Sequence, residues 1–137
     1  MPHTTFRAEV LTPEGSVFDE DVQMVSTRTG LGSIGILARH QPTLGLLVPT
    51  ELRLYRSDTD IVRYAQGEGY VQVSADGVLV LVEEAHEPGA LDVADLREKL
   101  RKAEADFDAA EDRSEAQKRA ARDKRRWAAF LRIAEGT

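Results

Sequence analysis

An antiparallel β-sandwich or barrel followed by an antiparallel two-helix hairpin is the fold class this sequence predicts. Three observations predict it. Up to Val82 the apolar residues tend to alternate with a period of two, as on half-buried strands. Turn signals such as Pro13-Glu14-Gly15 and Ala75-Asp76-Gly77 punctuate that stretch, at the roughly eight- to twelve-residue spacing of a sandwich or barrel. From Val93 the period becomes helical: Val93, Leu96, Leu100, Ala103, Phe107 and Ala110 are spaced 3, 4, 3, 4, 3. The expected organisation is a β domain over residues 1–87, a linker over 88–91 around Pro88-Gly89, and a helical hairpin over 92–137. The helices are expected at about 92–111 and 115–134.

Taken in order, Phe6, Ala8 and Val10 alternate with Arg7 and Glu9 and predict a first strand, closed by the turn at Pro13-Glu14-Gly15. Val22 to Thr27 predicts a second. Leu44 to Val48 and Leu52, Leu54 and Tyr55 predict two more, and Ile61 to Tyr64 is expected to pair back across Ser57-Asp58-Thr59-Asp60. Tyr70 to Val73 and Val78 to Val82 flank Asp76-Gly77, a strong hairpin signal. In the second part, Asp92 is the expected N-cap, with Asp95 favourable to the helix dipole and Leu91 and Leu96 placed as a hydrophobic staple. Ser114-Glu-Ala-Gln117 predicts a capping box opening the second helix. Its apolar face is expected to be Ala116, Ala120, Trp127, Leu131 and Ala134, with Phe130 alongside and Gly136 as the stop. Such a hairpin is expected to need a docking surface, because short helices take most of their stability from packing.

Gly30, Gly32 and Gly35 match G-x-G-x-x-G, the dinucleotide fingerprint. That motif works only between a strand and a helix whose N-terminus meets the pyrophosphate. Pro42, Gly45 and Pro49 follow too soon for a helix, so no βαβ unit fits. The stretch Gly30 to Leu44 is expected to be a glycine-rich loop between two short strands.

Composition excludes several classes. The chain has 137 residues, no cysteine, and a net charge of −6. Without thiolates, and with His3, His40 and His86 far apart, a metal site is not expected. No apolar run is long enough for a transmembrane helix, and the first residues carry no signal-peptide pattern, so an intracellular protein is expected. Residues 1–91 carry net −7, whereas residues 113–137 carry three acidic and eight basic groups. The basic cluster Arg119, Arg122, Lys124, Arg125 and Arg126 sits beside an acidic helix in an acidic chain, which argues against nucleic acid. No nucleophile or carboxylate pattern accompanies His40, which reads as a packing or interface histidine. Glu83 and Glu84 point to opposite faces of a strand and are not a catalytic pair.

Glu9-Val-Leu-Thr-Pro13 with Val17-Phe18, then Gly32-Ser-Ile-Gly-Ile-Leu-Ala-Arg-His40 with Pro42 and Leu44, resemble the epsilon subunits of bacterial F-type ATP synthases. That family commonly shows G-E-x-G-I-L-P-x-H-x-P-L at the second place. Gly67-Glu-Gly-Tyr-Val-Gln-Val73, Val78 to Ala85 and Leu91-Asp92 extend the resemblance over nearly the whole chain. It implies a non-catalytic rotor subunit of the central stalk, coupling proton-driven rotation of the membrane ring to ATP synthesis. The implied partners are the gamma subunit and the polar loops of the rotor ring, through Gly32, Ser33, Gly35, His40 and Pro42. The resemblance further implies a hairpin that lies folded or extends along gamma toward the alpha and beta subunits and blocks ATP hydrolysis, through Arg119, Arg122, Arg125, Arg126, Trp127 and Phe130. The implied location is peripheral, on the cytoplasmic face of the plasma membrane, held through the complex.

Three departures qualify the carry-over. Ser33 stands where many members carry Glu, so a charged contact is lost there. Ala38 replaces the usual Pro, loosening the turn before His40. Some members hold ATP on the hairpin through Ile/Leu-Asp-x-x-Arg-Ala and arginines of the second helix. Here Asp92, Arg122 and Arg126 match, but Asp95 occupies the Arg position and would repel phosphate, so no cofactor is expected. Trp127 and Phe130 are open to two readings, an exposed contact with gamma or hairpin core. The competing reading of the whole chain is a stand-alone β-sandwich binding module that dimerises through its helices.

Overall fold

A computed structural model describes residues 4–136. The chain divides into two compact units, one running to Glu87 and one starting at Pro88. The first is a β-sandwich of ten strands: β1 Phe6–Thr12, β2 Gly15–Val22, β3 Met24–Thr29, β4 Gly32–Leu37, β5 Thr43–Leu47, β6 Thr50–Tyr55, β7 Ile61–Gln66, β8 Gly69–Ser74, β9 Gly77–Val82 and β10 Ala85–His86. Their order is β10-β7-β6-β3-β5-β8-β9-β1-β2, with β4 attached to β3. Neighbours are antiparallel except β1 and β9, which run parallel. Only Thr29 and Leu47 join β3 to β5, so the sheet folds over at that point into two layers.

The inward positions are the alternating apolar ones. Ala8, Val10, Val25, Leu52, Leu54, Val71 and Val80 are fully buried, and Ile36 joins them from β4. Gln66 is buried among them, and every polar atom of its side chain is used. Its Oε1 accepts from Thr27 Oγ1 at 2.6 Å, and its Nε2 donates to the Val48 and Gly67 carbonyls at 3.2 and 2.8 Å. The side chain thereby ties β3, β7 and the β5–β6 corner together, a satisfied polar group where an unsatisfied one would be costly. At the sheet edge, Arg56 donates to both oxygens of Glu20 at 2.9 and 2.7 Å. That hydrogen-bonded guanidinium holds the Glu20 carboxyl below its usual range.

Two expectations are corrected. The run from Val22 to Thr27 is not one strand. The chain turns at Gln23, whose N–H donates to Tyr55 O at 2.7 Å, so Val22 ends β2 and Met24 begins β3. The glycine-rich stretch is not a loop throughout. Gly32–Leu37 is strand β4, paired along its length with β3. Its glycines have low strand propensity, but Ile34 and Ile36 fall two apart and pack on the core, and burial outweighs propensity.

The second unit opens with a 3-10 turn, Pro88–Ala90, and holds α1, Val93–Ala109, and α2, Glu115–Glu135. Asp92 caps α1, accepting from Asp95 N at 3.1 Å. The face Val93, Leu96, Leu100, Ala103, Phe107 and Ala110 is buried or half-buried throughout, as its spacing predicts. Ser114 caps α2 by accepting from Gln117 N at 3.1 Å, but the reciprocal half of the box is displaced by one residue. Gln117 Oε1 accepts from Arg113 N at 2.8 Å, and Ser114 N donates instead to Glu111 O. Arg113 adopts φ 62°, which turns its N–H toward the helix start. On α2, Ala116 is exposed, and Ala120, Ala129 and Phe130 form the buried face.

Candidate functional site: an apolar sheet face and a charged hairpin

Strands β5, β8, β9 and β1 adjoin in that order, so their outward residues form cross-strand rows. Leu46 pairs with Tyr70, Tyr70 with Leu81, and Leu81 with Leu11. The next row runs Leu44, Gln72, Leu79 and Glu9. Leu44 is 73% exposed, Leu46 64%, Tyr70 50% and Leu81 40%. A contiguous apolar patch with a polar rim, here Gln72 and Glu9, marks a protein-interaction surface. The sequence hides it. In Thr43–Leu47 leucines occupy both the outward and the inward positions, and a strand apolar on both faces reads as buried on both.

The residues assigned to the rotor interface do not form one cluster. Gly32 pairs with Thr29 at the tip of the β3–β4 hairpin, beside Leu31, which is fully exposed. Ser33 and Gly35 face outward from β4, which pairs with β3 alone. His40 and Pro42 lie beyond the other end of β4, roughly 17 Å or more from Gly32 by strand rise. They line an open cleft of about 450 Å³ with Phe6, Arg39 and Asp76. The His40 Nδ1 lies 2.8 Å from the Gln41 carbonyl, so Nδ1 carries the proton. No carboxylate or nucleophile bonds to His40 among the described residues. His3 lies outside them.

On the hairpin, Arg97 of α1 pairs with Glu135 of α2 at 2.8 Å, which fixes the helices as antiparallel. Arg119, Arg122 and Arg125 are exposed and make no ion pair among the described residues. Phe130 is buried, with 1% exposed, and is hairpin core. Trp127 is half-buried, edge-to-face against Phe130 at 6.1 Å, with the Arg126 guanidinium 3.9 Å from its ring centre. The proposed ATP contacts are spread out. Asp92 is occupied as the α1 cap and Arg126 by Trp127. Arg122 lies about 20 Å from Asp92 along the paired helices, by helical rise. The arginine of α2 nearest the Asp92 end is Arg132, three residues before Glu135. Among the described residues no group of three metal-ligating side chains converges, and no helix is long and apolar enough to cross a membrane.

A sandwich with an exposed apolar row on one sheet face, followed by a two-helix unit in which Arg119, Arg122 and Arg125 make no ion pair among the described residues, has the surface character of a protein that contacts other proteins. Residues 5–88 match the model of the ATP synthase delta/epsilon chain β-sandwich domain. The chain is 39% identical over 101 residues to the ATP synthase epsilon chain of Alkalihalophilus pseudofirmus, covering 74% of this chain and 75% of that one. It is 40% identical over 101 residues to the epsilon chain of Halalkalibacterium halodurans, covering 73% and 74%. The chain therefore belongs to the ATP synthase epsilon-chain family. Its fold is also that of a chain in the Euglena gracilis mitochondrial ATP synthase, with a TM-score of 0.82 at 19% identity over 95% of this chain and 82% of that one. A chain of the Tetrahymena thermophila mitochondrial ATP synthase central stalk and c-ring matches with a TM-score of 0.61 at 18% identity over 98% and 99%.

Proposed function

We propose that this chain is a non-catalytic rotor subunit of the central stalk, seated on the gamma subunit through the face built from Leu44, Leu46, Tyr70 and Leu81. That exposed face carries the reading, because a sandwich with its own complete core gains nothing from leucines in water. The open β4 edge with Ser33 and Gly35, together with the His40–Pro42 loop, meets the polar loops of the membrane rotor ring. The chain thereby links proton-driven rotation of the ring to ATP synthesis, peripherally on the cytoplasmic face of the membrane. The hairpin presents Arg119, Arg122 and Arg125 to acidic surfaces of the alpha and beta subunits and restrains ATP hydrolysis; opposite charge across an interface steers such contact. No cofactor belongs to this reading, since Asp95 puts a carboxylate at the position where the ATP-holding members carry arginine.

The test is hydrolysis by the assembled synthase carrying Arg119→Glu, Arg122→Glu and Arg125→Glu together. These side chains are exposed and make no ion pair among the described residues, so the hairpin keeps its fold. Hydrolysis is expected to rise several-fold with the complex intact. Unchanged hydrolysis in an intact complex removes the inhibitory role.

A further inference from the structure

The seam between α1 and α2 is thin. Its buried residues are Leu96 and Ala103 on one helix and Ala120, Ala129 and Phe130 on the other. Three of these five are alanines, and short side chains bury little area. Besides them, half-buried side chains such as Leu100 and Leu131, the Arg97–Glu135 ion pair at one end, and charge on aromatic rings span the seam. The Lys99 ammonium of α1 lies 4.7 Å from the ring centre of Trp127 on α2. Arg126 lies against the same indole. Each cation is held in place by a carboxylate of its own helix, Lys99 by Asp95 at 3.0 Å and Arg126 by Asp123 at 3.1 Å. Further along, Lys124 of α2 lies 4.4 Å from the ring centre of Phe107 on α1.

We propose that the alternating series Asp95–Lys99–Trp127–Arg126–Asp123, seconded by Lys124 over Phe107, is a clasp that holds the hairpin closed. Cations within about 6 Å of a ring centre are attracted to its face, more strongly as water is excluded. Lys99 is the decisive member, because it carries the attraction from one helix to the other, whereas Arg126 and Trp127 are neighbours on α2. Asp95, out of pattern in the sequence, has its role here as the anchor that aims Lys99. In the closed form Trp127, Lys99 and Lys124 are engaged with one another's helices, and opening the hairpin presents them to a partner together. That consequence rests on the proposed inhibitory role; the clasp itself does not.

The experiment is amide hydrogen exchange on the full chain, with the sandwich amides as internal reference. Lys99→Met keeps the length and apolar stem of the side chain and removes its charge. It is expected to speed exchange across α1 and α2 roughly two- to fivefold. Trp127→Leu is expected to do more, since Phe130 also loses its edge-to-face neighbour. In the Trp127→Leu background, most of the Lys99→Met effect is expected to vanish, because the lysine then has no ring to hold. Lys102→Met, exposed on the same helix, is expected to leave exchange unchanged. No acceleration by Lys99→Met, or an equal acceleration with and without Trp127, overturns the clasp. None of these readings involves ATP hydrolysis, so the clasp and the inhibitory role stand or fall separately.

Discussion

Leu46→Asp combined with Tyr70→Asp is expected to weaken binding to the gamma subunit by roughly a hundredfold or more while leaving the sandwich folded. The two side chains are cross-strand partners at the centre of the apolar face, on β5 and β8. At least half of each is in water, so neither contributes to the core and aspartate there costs the fold little. In a complex the same positions are buried. Large apolar anchors near the centre of an interface each cost on the order of 2 kcal/mol or more when lost, and a desolvated, unpaired carboxylate adds a further penalty. Surface plasmon resonance against immobilised gamma, with a urea melt of each variant, checks both halves. An affinity within a few-fold of the native chain, with the fold intact, would place the gamma interface elsewhere.

Gly69→Ala is expected to have the largest effect on stability, about 3 kcal/mol or more, by overpacking and backbone displacement. Gly69 lies on a central strand, paired with Leu47 on one side and Val82 on the other. A Cβ at this position would fall on the Leu81 carbonyl oxygen and crowd Val82 Cα, both of them backbone. Neither can retreat without breaking the β8–β9 ladder. Gly35→Ala on the β4 edge is the matched control, since its Cβ would meet only the Met24 sulfur at 3.9 Å, an ordinary contact. Urea denaturation of the two variants is expected to separate them clearly, and equal midpoints would show that β8 relaxes freely at that point.

The parts of the fold legible in the sequence were those where one physical pattern acts alone. The helical face from Val93 to Ala110 keeps one spacing because one side of α1 is buried and the other solvated. The Asp76-Gly77 turn was legible because Gly77 takes φ 130°, which few other residues adopt readily. Where two patterns compete, the sequence misleads. β2 leaves little trace in the sequence, because Phe18 and Val22 are its only buried residues amid Ser, Asp and Glu. β4 was hidden by glycines that argue for a loop while Ile34 and Ile36 argue for a strand. The candidate site suffered more. Leu44 and Leu46 look like core by composition, and only the register with Tyr70 and Leu81 shows them together on the outside. Ser33 and His40 stand close in sequence, yet an extended strand carries them toward opposite ends of the β3–β4 hairpin.

Isothermal titration of the full chain into purified gamma subunit, at several temperatures, tests the central claim most directly. The account predicts tight one-to-one binding with a negative heat-capacity change, the mark of apolar surface leaving water. It predicts the same for a chain ending at Glu87, because the binding face lies wholly on β5, β8 and β9. An absence of heat with either chain, accompanied by a homodimer that requires α1 and α2, would contradict it and define the protein as a self-associating module.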